Sequence, residues 1–187
     1  MKYYKLVYDY EHDDRYVNCT VRTIGGIDEY ATSNGKLIQD WKEVVLEYNP
    51  NNGNIMTDYV ANVYRWLIVS NKFRSEIKEI VSDKIQYLPI KIVNSINKEE
   101  NSLYQVANIL DVVDALDLDS SQYDIFELDD EEIISVEKYA LKKTKIQEHH
   151  IFRLKNDTIP VFVSEKIKNI VEKNKLLGFA FIEVVVN

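Results

Sequence analysis

The sequence predicts an α+β fold: a mixed sheet with two strand–helix–strand units, at about residues 66–93 and 160–186, and an N-terminal β-rich segment. Three observations predict it. Short runs rich in Val, Ile and Tyr indicate many strands. Two amphipathic stretches have apolar residues at helical spacing. Each of these stretches follows an apolar strand and a serine, and another apolar strand follows each of them.

The N-terminal segment contains strand and turn patterns. Residues 3–10 and 16–23 are rich in Tyr, Val and Thr, which favours two strands, and the polar residues 11–14 predict a turn between them. A further strand is predicted at 42–48, and the Asn, Pro and Gly residues of 49–54 predict a loop. This segment therefore adds β-structure to the fold.

The two strand–helix–strand units echo each other 94 residues apart. Residues 67–74 resemble residues 161–168, and we expect Ser70 and Ser164 to be helix N-caps, because a hydroxyl can accept from the free N–H groups of a first helical turn. Each helix has one apolar face, consisting of Phe73, Ile77 and Ile80 in the first unit and Ile167, Ile170 and Val171 in the second. Strands are predicted after the helices at 85–93 and 179–186.

The middle of the chain is predicted to be mainly strands. Strands are expected at 102–110, 133–141 and 150–154, and a short helix at 112–116. No linker rich in Pro, Gly or Ser divides the chain, so residues 1–187 are predicted to form a single domain. A small β subdomain at residues 1–60 stays an alternative.

The charge of the chain is concentrated in one block. The formal net charge is −8, which argues against nonspecific binding to nucleic acid. Between Glu99 and Glu137 there are 13 acidic residues and no Lys or Arg. This block is either a solvated edge or a surface complementary to a basic partner. The candidate partner-binding residues are Asp111, Asp114, Asp117, Asp119, Asp124, Asp129, Asp130, Glu131 and Glu132.

The sequence contains no complete motif for catalysis, metal binding or cofactor binding. Cys19 is alone, and the adjacent His149 and His150 would point to opposite faces of a strand. Residues 117–121 begin like a calcium loop, but Gln122 stands where the loop needs Gly and Leu128 where it needs Glu. No phosphate loop, nucleophile elbow or dinucleotide fingerprint occurs. We therefore expect no enzymatic activity, no metal and no cofactor.

The N-terminus and the hydropathy predict the location. The first eight residues lack the apolar core of a signal peptide, and no run of 18 apolar residues occurs. A cytoplasmic protein without a membrane partner is expected.

Several segments between residues 66 and 184 are similar to one known family. They are Trp66-Leu67-Ile68-Val69-Ser70, Tyr87-Leu88-Pro89-Ile90, Asp114-Ala115-Leu116-Asp117 with Ser121 and Tyr123, Ile151-Phe152-Arg153-Leu154, Val163-Ser164-Glu165 and Gly178-Phe179-Ala180-Phe181. In order and spacing they resemble bacterial immunity proteins of polymorphic toxin systems, of the immunity protein 11 and immunity protein 43 type. The resemblance implies an α+β fold and a cytoplasmic, non-enzymatic inhibitor that binds a cognate toxin.

The leading hypothesis is therefore an immunity protein that neutralises a cognate toxin by direct binding through the acidic surface. A basic toxin would suit that surface. Whether the protein is a monomer or a homodimer is left open. The alternatives are a small-ligand-binding protein or enzyme of the same fold class, which would need a closed pocket, and an accessory scaffold, which would expose an apolar patch.

Overall fold

The computed structural model describes residues 1–11, 14–81, 83–128 and 131–187. The side chains of Leu128, Glu131 and Glu132 are also outside the described part. The predicted α+β class is confirmed, since the described residues form sheets with few helices. The α-helices among them are α1 (Asn71–Val81), α2 (Lys143–Ile146) and α3 (Glu165–Lys173).

Two large sheets and one hairpin contain the strands. The six-stranded sheet has the order β10 (Val112–Val113), β14 (Ile151–Leu154), β15 (Asp157–Ser164), β1 (Tyr3–Tyr8), β16 (Phe179–Val186) and β13 (Ala140–Leu141). The eight-stranded sheet has the order β6 (Ile85–Pro89), β9 (Tyr104–Ile109), β5 (Ile68–Ser70), β4 (Tyr59–Asn62), β2 (Asn18–Thr23), β3 (Val45–Tyr48), β7 (Lys91–Asn94) and β8 (Glu100–Asn101). The hairpin consists of β11 (Gln122–Leu128) and β12 (Glu131–Lys138).

Helices α1 and α3 connect strands in the same way. Strands β5 and β6 both pair antiparallel to β9, which lies between them, and α1 joins the two. Strands β15 and β16 both pair antiparallel to β1, and α3 joins these two. Each helix thus crosses over one intervening strand. The strand that α1 crosses, β9, comes after this helix in the chain. The strand that α3 crosses, β1, is the first strand of the chain.

The main core lies between the two sheets and these helices. Phe73 and Ile77 of α1 and Ile167 and Val171 of α3 are buried in it, as their helical spacing predicts. Phe73 stacks on Phe179 with the ring centroids 4.7 Å apart. Two further clusters of buried residues lie around Trp66 in the eight-stranded sheet and around Phe152 and Phe162 in the six-stranded sheet.

The N-terminal strand occupies the middle of the six-stranded sheet. Its residue Leu6 is paired with Val161 on one side and Phe181 on the other. Strands β2, β3 and β4 belong to the eight-stranded sheet. The single-domain organisation of residues 1–187 stays a prediction.

Several local predictions are wrong. Residues 85–93 form two strands, β6 and β7, and residues 133–141 are divided between β12 and β13. Residues 112–116 do not form a helix, because Val112 and Val113 pair in parallel with Arg153 and Leu154 of β14, and β-branched residues suit that pairing. Ser164 does not cap α3, since its hydroxyl makes no hydrogen bond to the helix and lies 3.0 Å from His150 Nδ1 instead. The cap at Ser70 is confirmed, because its Oγ accepts from the backbone N–H of Phe73.

Candidate functional site: an acidic hairpin and the cleft beneath it

The β11–β12 hairpin pairs with neither large sheet in the described part of the chain. Ile125 is opposite Ile134, and Phe126 is opposite Ile133. Opposite residues of an antiparallel pair share a face and neighbours along a strand alternate, so both faces of the hairpin have an apolar pair, and Tyr123 opposite Val136 adds a second one to the face of Ile125. Ile125 is 55% exposed and Phe126 is 47% exposed. The hairpin therefore offers both apolar side chains and unpaired strand edges to another molecule.

Acidic residues of the hairpin accompany these apolar side chains. Asp124 and Glu127 of β11 are exposed, and Glu127 is opposite Glu132 of β12. The predicted site residues Asp129 and Asp130 lie outside the described residues. Glu131 and Glu132 belong to β12, but nothing is described of their side chains. The described carboxylates of β11 thus face solvent.

Three other predicted residues lie before the hairpin in the chain. Asp114 is exposed, with its Oδ2 3.9 Å from Lys155 Nζ, and Asp119 is exposed in the turn before β11. Asp117 accepts a hydrogen bond from Asn187 Nδ2 at 3.0 Å. That hydrogen bond, together with one from Ser120, lowers the pKa of the Asp117 carboxyl, so this group is ionised at neutral pH.

Asp111 is different, because its side chain is only 9% exposed. Its Oδ2 is 2.7 Å from His149 Nδ1, and its Oδ1 is 3.4 Å from Lys84 Nζ. These neighbours hold Asp111 in the interior of the protein, where it cannot contribute to an exposed acidic surface.

A cleft of about 730 Å³ separates the hairpin from the large sheets. Phe126 and Ile133 line it on the hairpin side, and residues of β1, β4 and β15 line it on the other. Among the lining residues whose side chains the structure describes, the charged ones are Lys5, Arg65, Arg153 and Asp157. Sequence reasoning missed this cleft, because its lining residues come from four segments, 5–10, 59–67, 126–139 and 153–161, that only the tertiary structure brings together.

Arg153 is the most deeply buried charge at the cleft, with 4% of its surface exposed. One terminal nitrogen of its guanidinium donates to the backbone oxygens of Thr158, at 2.6 Å, and Ile159. The other donates to the backbone oxygen of Thr32 at 3.0 Å, while Nε has no hydrogen-bond partner. Burial lowers the pKa of Arg153 to about 10, so the group stays cationic at neutral pH.

Tyrosines surround this cation in the cleft. Tyr139 donates to Asp157 Oδ2 at 2.6 Å, and Lys5 Nζ lies 5.0 Å from the centre of the Tyr139 ring. Tyr8 packs edge-on against Tyr59 at 5.4 Å, and burial raises the pKa of both phenols. The neighbouring Thr57 opposes the rise in the pKa of Tyr8, but burial has the larger effect. The aromatic wall of the cleft is therefore neutral at physiological pH.

Comparison with known proteins identifies the family. Residues 9–186, nearly the whole chain, match the immunity protein family (Imm11). The chain belongs to this family. The resemblance that residues 66–184 carry is thereby confirmed and extends over most of the first sixty residues. A search of curated proteins found no match to this Imm11 chain.

The adjacent residues His149 and His150 of this Imm11 protein have separate partners. His149 contacts Asp111, whereas His150 contacts Ser164, so neither of these two histidines joins a serine to a carboxylate. Ser164 is also fully buried and inaccessible to a substrate. Burial and the nearby Lys166 lower the pKa of His150. This arrangement fails the geometric test for a Ser–His–Asp triad.

The described part of the Imm11 structure offers no metal site either. Among the residues it describes, no three His, Cys, Asp or Glu side chains are grouped to hold a metal ion. Cys19 is buried, and burial raises the pKa of its thiol to about 12, which keeps it protonated and unreactive.

None of the helices that the structure describes has the length and apolar character needed to cross a lipid bilayer.

Proposed function

We propose that this Imm11 protein neutralises a cognate toxin by binding it directly, and that the β11–β12 hairpin is the contact element. The observation that carries the proposal is an exposed hairpin with apolar residues on both faces and no pairing to either large sheet in the described chain. An isolated two-stranded hairpin is marginally stable in water. A partner that covers one face or extends one edge would stabilise it.

Charge supports a basic surface on the toxin. Asp124 and Glu127 of the hairpin and Asp119 before it are exposed, and no Lys or Arg occurs between Glu99 and Glu137. Like charges concentrated on one element speed up the encounter with a cationic protein and reject anionic ones. We include Asp114, Asp117, Asp129, Asp130, Glu131 and Glu132 in this proposed surface and leave out the buried Asp111.

An immunity protein that inhibits a toxin by covering its surface needs no catalytic groups of its own. The buried Ser164, the buried Cys19 and the separate partners of the two adjacent histidines are consistent with a binding role. We therefore propose a non-enzymatic inhibitor that acts in the cytoplasm of the cell that makes the toxin. Light scattering of the purified complex distinguishes a monomeric from a homodimeric inhibitor.

The test needs a toxin, which is to be sought among the products of the genes that neighbour this one. Cells expressing that toxin should survive when the chain is co-expressed, and survival should fall with Asp124→Lys combined with Glu127→Lys. In surface plasmon resonance the same double substitution should lower the association rate about tenfold or more at low salt, because steering is lost. At about 500 mM salt, where the Debye length is only a few ångströms, the difference should shrink.

The matched control reverses two exposed acids elsewhere, Glu79 of α1 and Glu148 after α2. Glu79→Lys with Glu148→Lys changes the net charge equally but leaves the hairpin intact. Equal losses of association rate in the two double variants would refute the hairpin as the contact. Survival without any complex between the purified proteins would refute direct binding.

A further inference from the structure

We propose that the cleft between the hairpin and the large sheets binds a small organic anion, a carboxylate on a flat apolar body. Its volume of about 730 Å³ suits such a ligand, because small-molecule sites enclose roughly 300–1,000 Å³. The cleft shares Phe126 and Ile133 with the hairpin of the proposed toxin contact, but its cationic side chains lie outside the hairpin, so the two proposals are tested by different substitutions.

The charge of the cleft is opposite to that of the chain. The chain has a net charge of −8, yet Lys5, Arg65 and Arg153 line the cleft and Asp157 is the carboxylate among its lining residues. Asp157 already accepts the Tyr139 hydroxyl hydrogen. Asp157 lies near enough to Arg153 to favour its charged form but makes no hydrogen bond to it, so the described lining keeps three cations against one carboxylate, and an anion from outside would reduce that excess.

Two buried polar atoms at the cleft lack normal hydrogen-bond partners. They are Nε of Arg153 and the hydroxyl of Tyr8, and both residues are at least nine-tenths buried. Native proteins pair nearly all such groups, so an unpaired donor needs a reason. Both atoms are shielded from solvent, so the ligand meets the more accessible Lys5 and Arg65 first. The buried Arg153 then attracts the bound anion electrostatically, and this attraction is strong because the surrounding protein has a low dielectric constant.

The remaining walls select for an apolar body. Phe126 of the hairpin, Ile159 of β15 and Tyr10 line the cleft and are exposed, at 47%, 64% and 73%. Aromatic faces pack favourably on flat rings, and burying the exposed apolar surface adds affinity. Inorganic anions would satisfy the cations of the cleft but leave these three residues uncovered.

Titration calorimetry of the full chain with 4-hydroxyphenylacetate tests the proposal. We expect saturable binding with 1:1 stoichiometry and a Kd below about 1 mM. The neutral amide of the same acid should bind at least about tenfold more weakly, because it lacks the charge. In ¹⁵N spectra the Nε–H signal of Arg153 should shift with the acid and stay in place with the amide.

Substitutions locate the site without disturbing the buried Arg153. Lys5→Gln and Arg65→Asn should each weaken the acid about fivefold, the upper range for an exposed ionic contact. Asn is chosen because Arg65 has φ of +56°, a conformation that Asn tolerates. Lys175→Asn is the matched control, since Lys175 has φ of +51° and lies outside the cleft lining.

Several outcomes would overturn the assignment. Equal affinity for the acid and the amide would show that the cleft does not recognise the negative charge of the ligand. Equal affinity for inorganic phosphate would show that it does not recognise an apolar body. Weakening by Lys175→Asn as large as by Arg65→Asn would mean that the anion binds nonspecifically. Absence of any heat or Arg153 shift up to about 10 mM acid would refute the site altogether.

Discussion

At the scale of single residues, Gly178 lies where the two large sheets contact each other, and this contact leaves room only for glycine. Its φ is +87°, and its backbone oxygen accepts from the N–H of Asp9, just after β1. The preceding Leu177 oxygen accepts from Tyr59 of β4 in the other sheet. A Cβ at position 178 would lie 2.2 Å from the Tyr59 backbone oxygen. Relief of that overlap requires a shift of backbone.

We predict that Gly178→Ala lowers the free energy of unfolding by about 2–5 kcal/mol, from the positive φ and the steric overlap together. Gly26→Ala is the control, because Gly26 has φ of +78° but no atom within 4 Å of its added Cβ. That variant should lose only about 1–2 kcal/mol. Urea denaturation of both measures the difference, and equal losses would mean that the overlap at Tyr59 is relieved at no cost.

At the scale of elements, the two helix N-termini differ although their sequences match. Ser70 Oγ accepts from the N–H of Phe73 and donates to Asp58 at 2.6 Å. The Ser164 hydroxyl instead contacts His150, which precedes the strand β14 that pairs with β15. A serine before an amphipathic helix predicts a cap, but the sequence does not reveal a competing side chain on a neighbouring strand.

We predict that Ser70→Ala costs about 1–2 kcal/mol of stability, the usual value of an N-cap. Amide hydrogen exchange should become faster at Phe73, which loses its acceptor. In Ser164→Ala the exchange at Ile167, the equivalent position of α3, should be unchanged, because no cap is removed. Faster exchange at Ile167 would show that Ser164 caps α3 in solution.

A single sequence does not show which distant segments contact each other, and this decides which helices and strands could be predicted. Helical spacing located the apolar faces of α1 and α3, because a helix is defined by contacts within one segment. Residues 112–116 were misjudged, because the pairing of Val112 with Arg153 joins positions far apart in the chain. The acidic hairpin was visible as a charge block, but its separation from both sheets depends on pairing that a single sequence does not show.

At the scale of the whole molecule, sheet order creates the cleft and places the first strand at the centre. Lys5, Arg65 and Arg153 are far apart in sequence and share the cleft only because β1 pairs with β15 and packs near β4. Composition predicted an acidic protein, and no local pattern could predict a cationic cleft within it. The segments that resemble the family lie between residues 66 and 184. They therefore did not indicate that β1 completes the six-stranded sheet.

The central position of β1 predicts that the C-terminal unit cannot fold without it. Deletion of residues 1–9 removes the buried side chains of Tyr3, Tyr4, Leu6 and Tyr8 and the backbone pairing of both β15 and β16. Four buried apolar side chains contribute about 6–12 kcal/mol at 1.5–3 kcal/mol each, comparable to the total stability of a domain. The truncated chain should therefore show a loss of strand signal in circular dichroism and no cooperative thermal transition.

A synthetic peptide of residues 1–9 should restore the fold of the truncated chain, because an extended peptide can add to strand edges left unpaired. The control peptide carries Tyr4→Asp and Leu6→Asp, which place charges in the core and should abolish rescue. If the truncated chain melts cooperatively without any peptide, the six-stranded sheet closes without β1. The N-terminal residues would then be an addition to an already stable C-terminal unit, as a separate β subdomain requires.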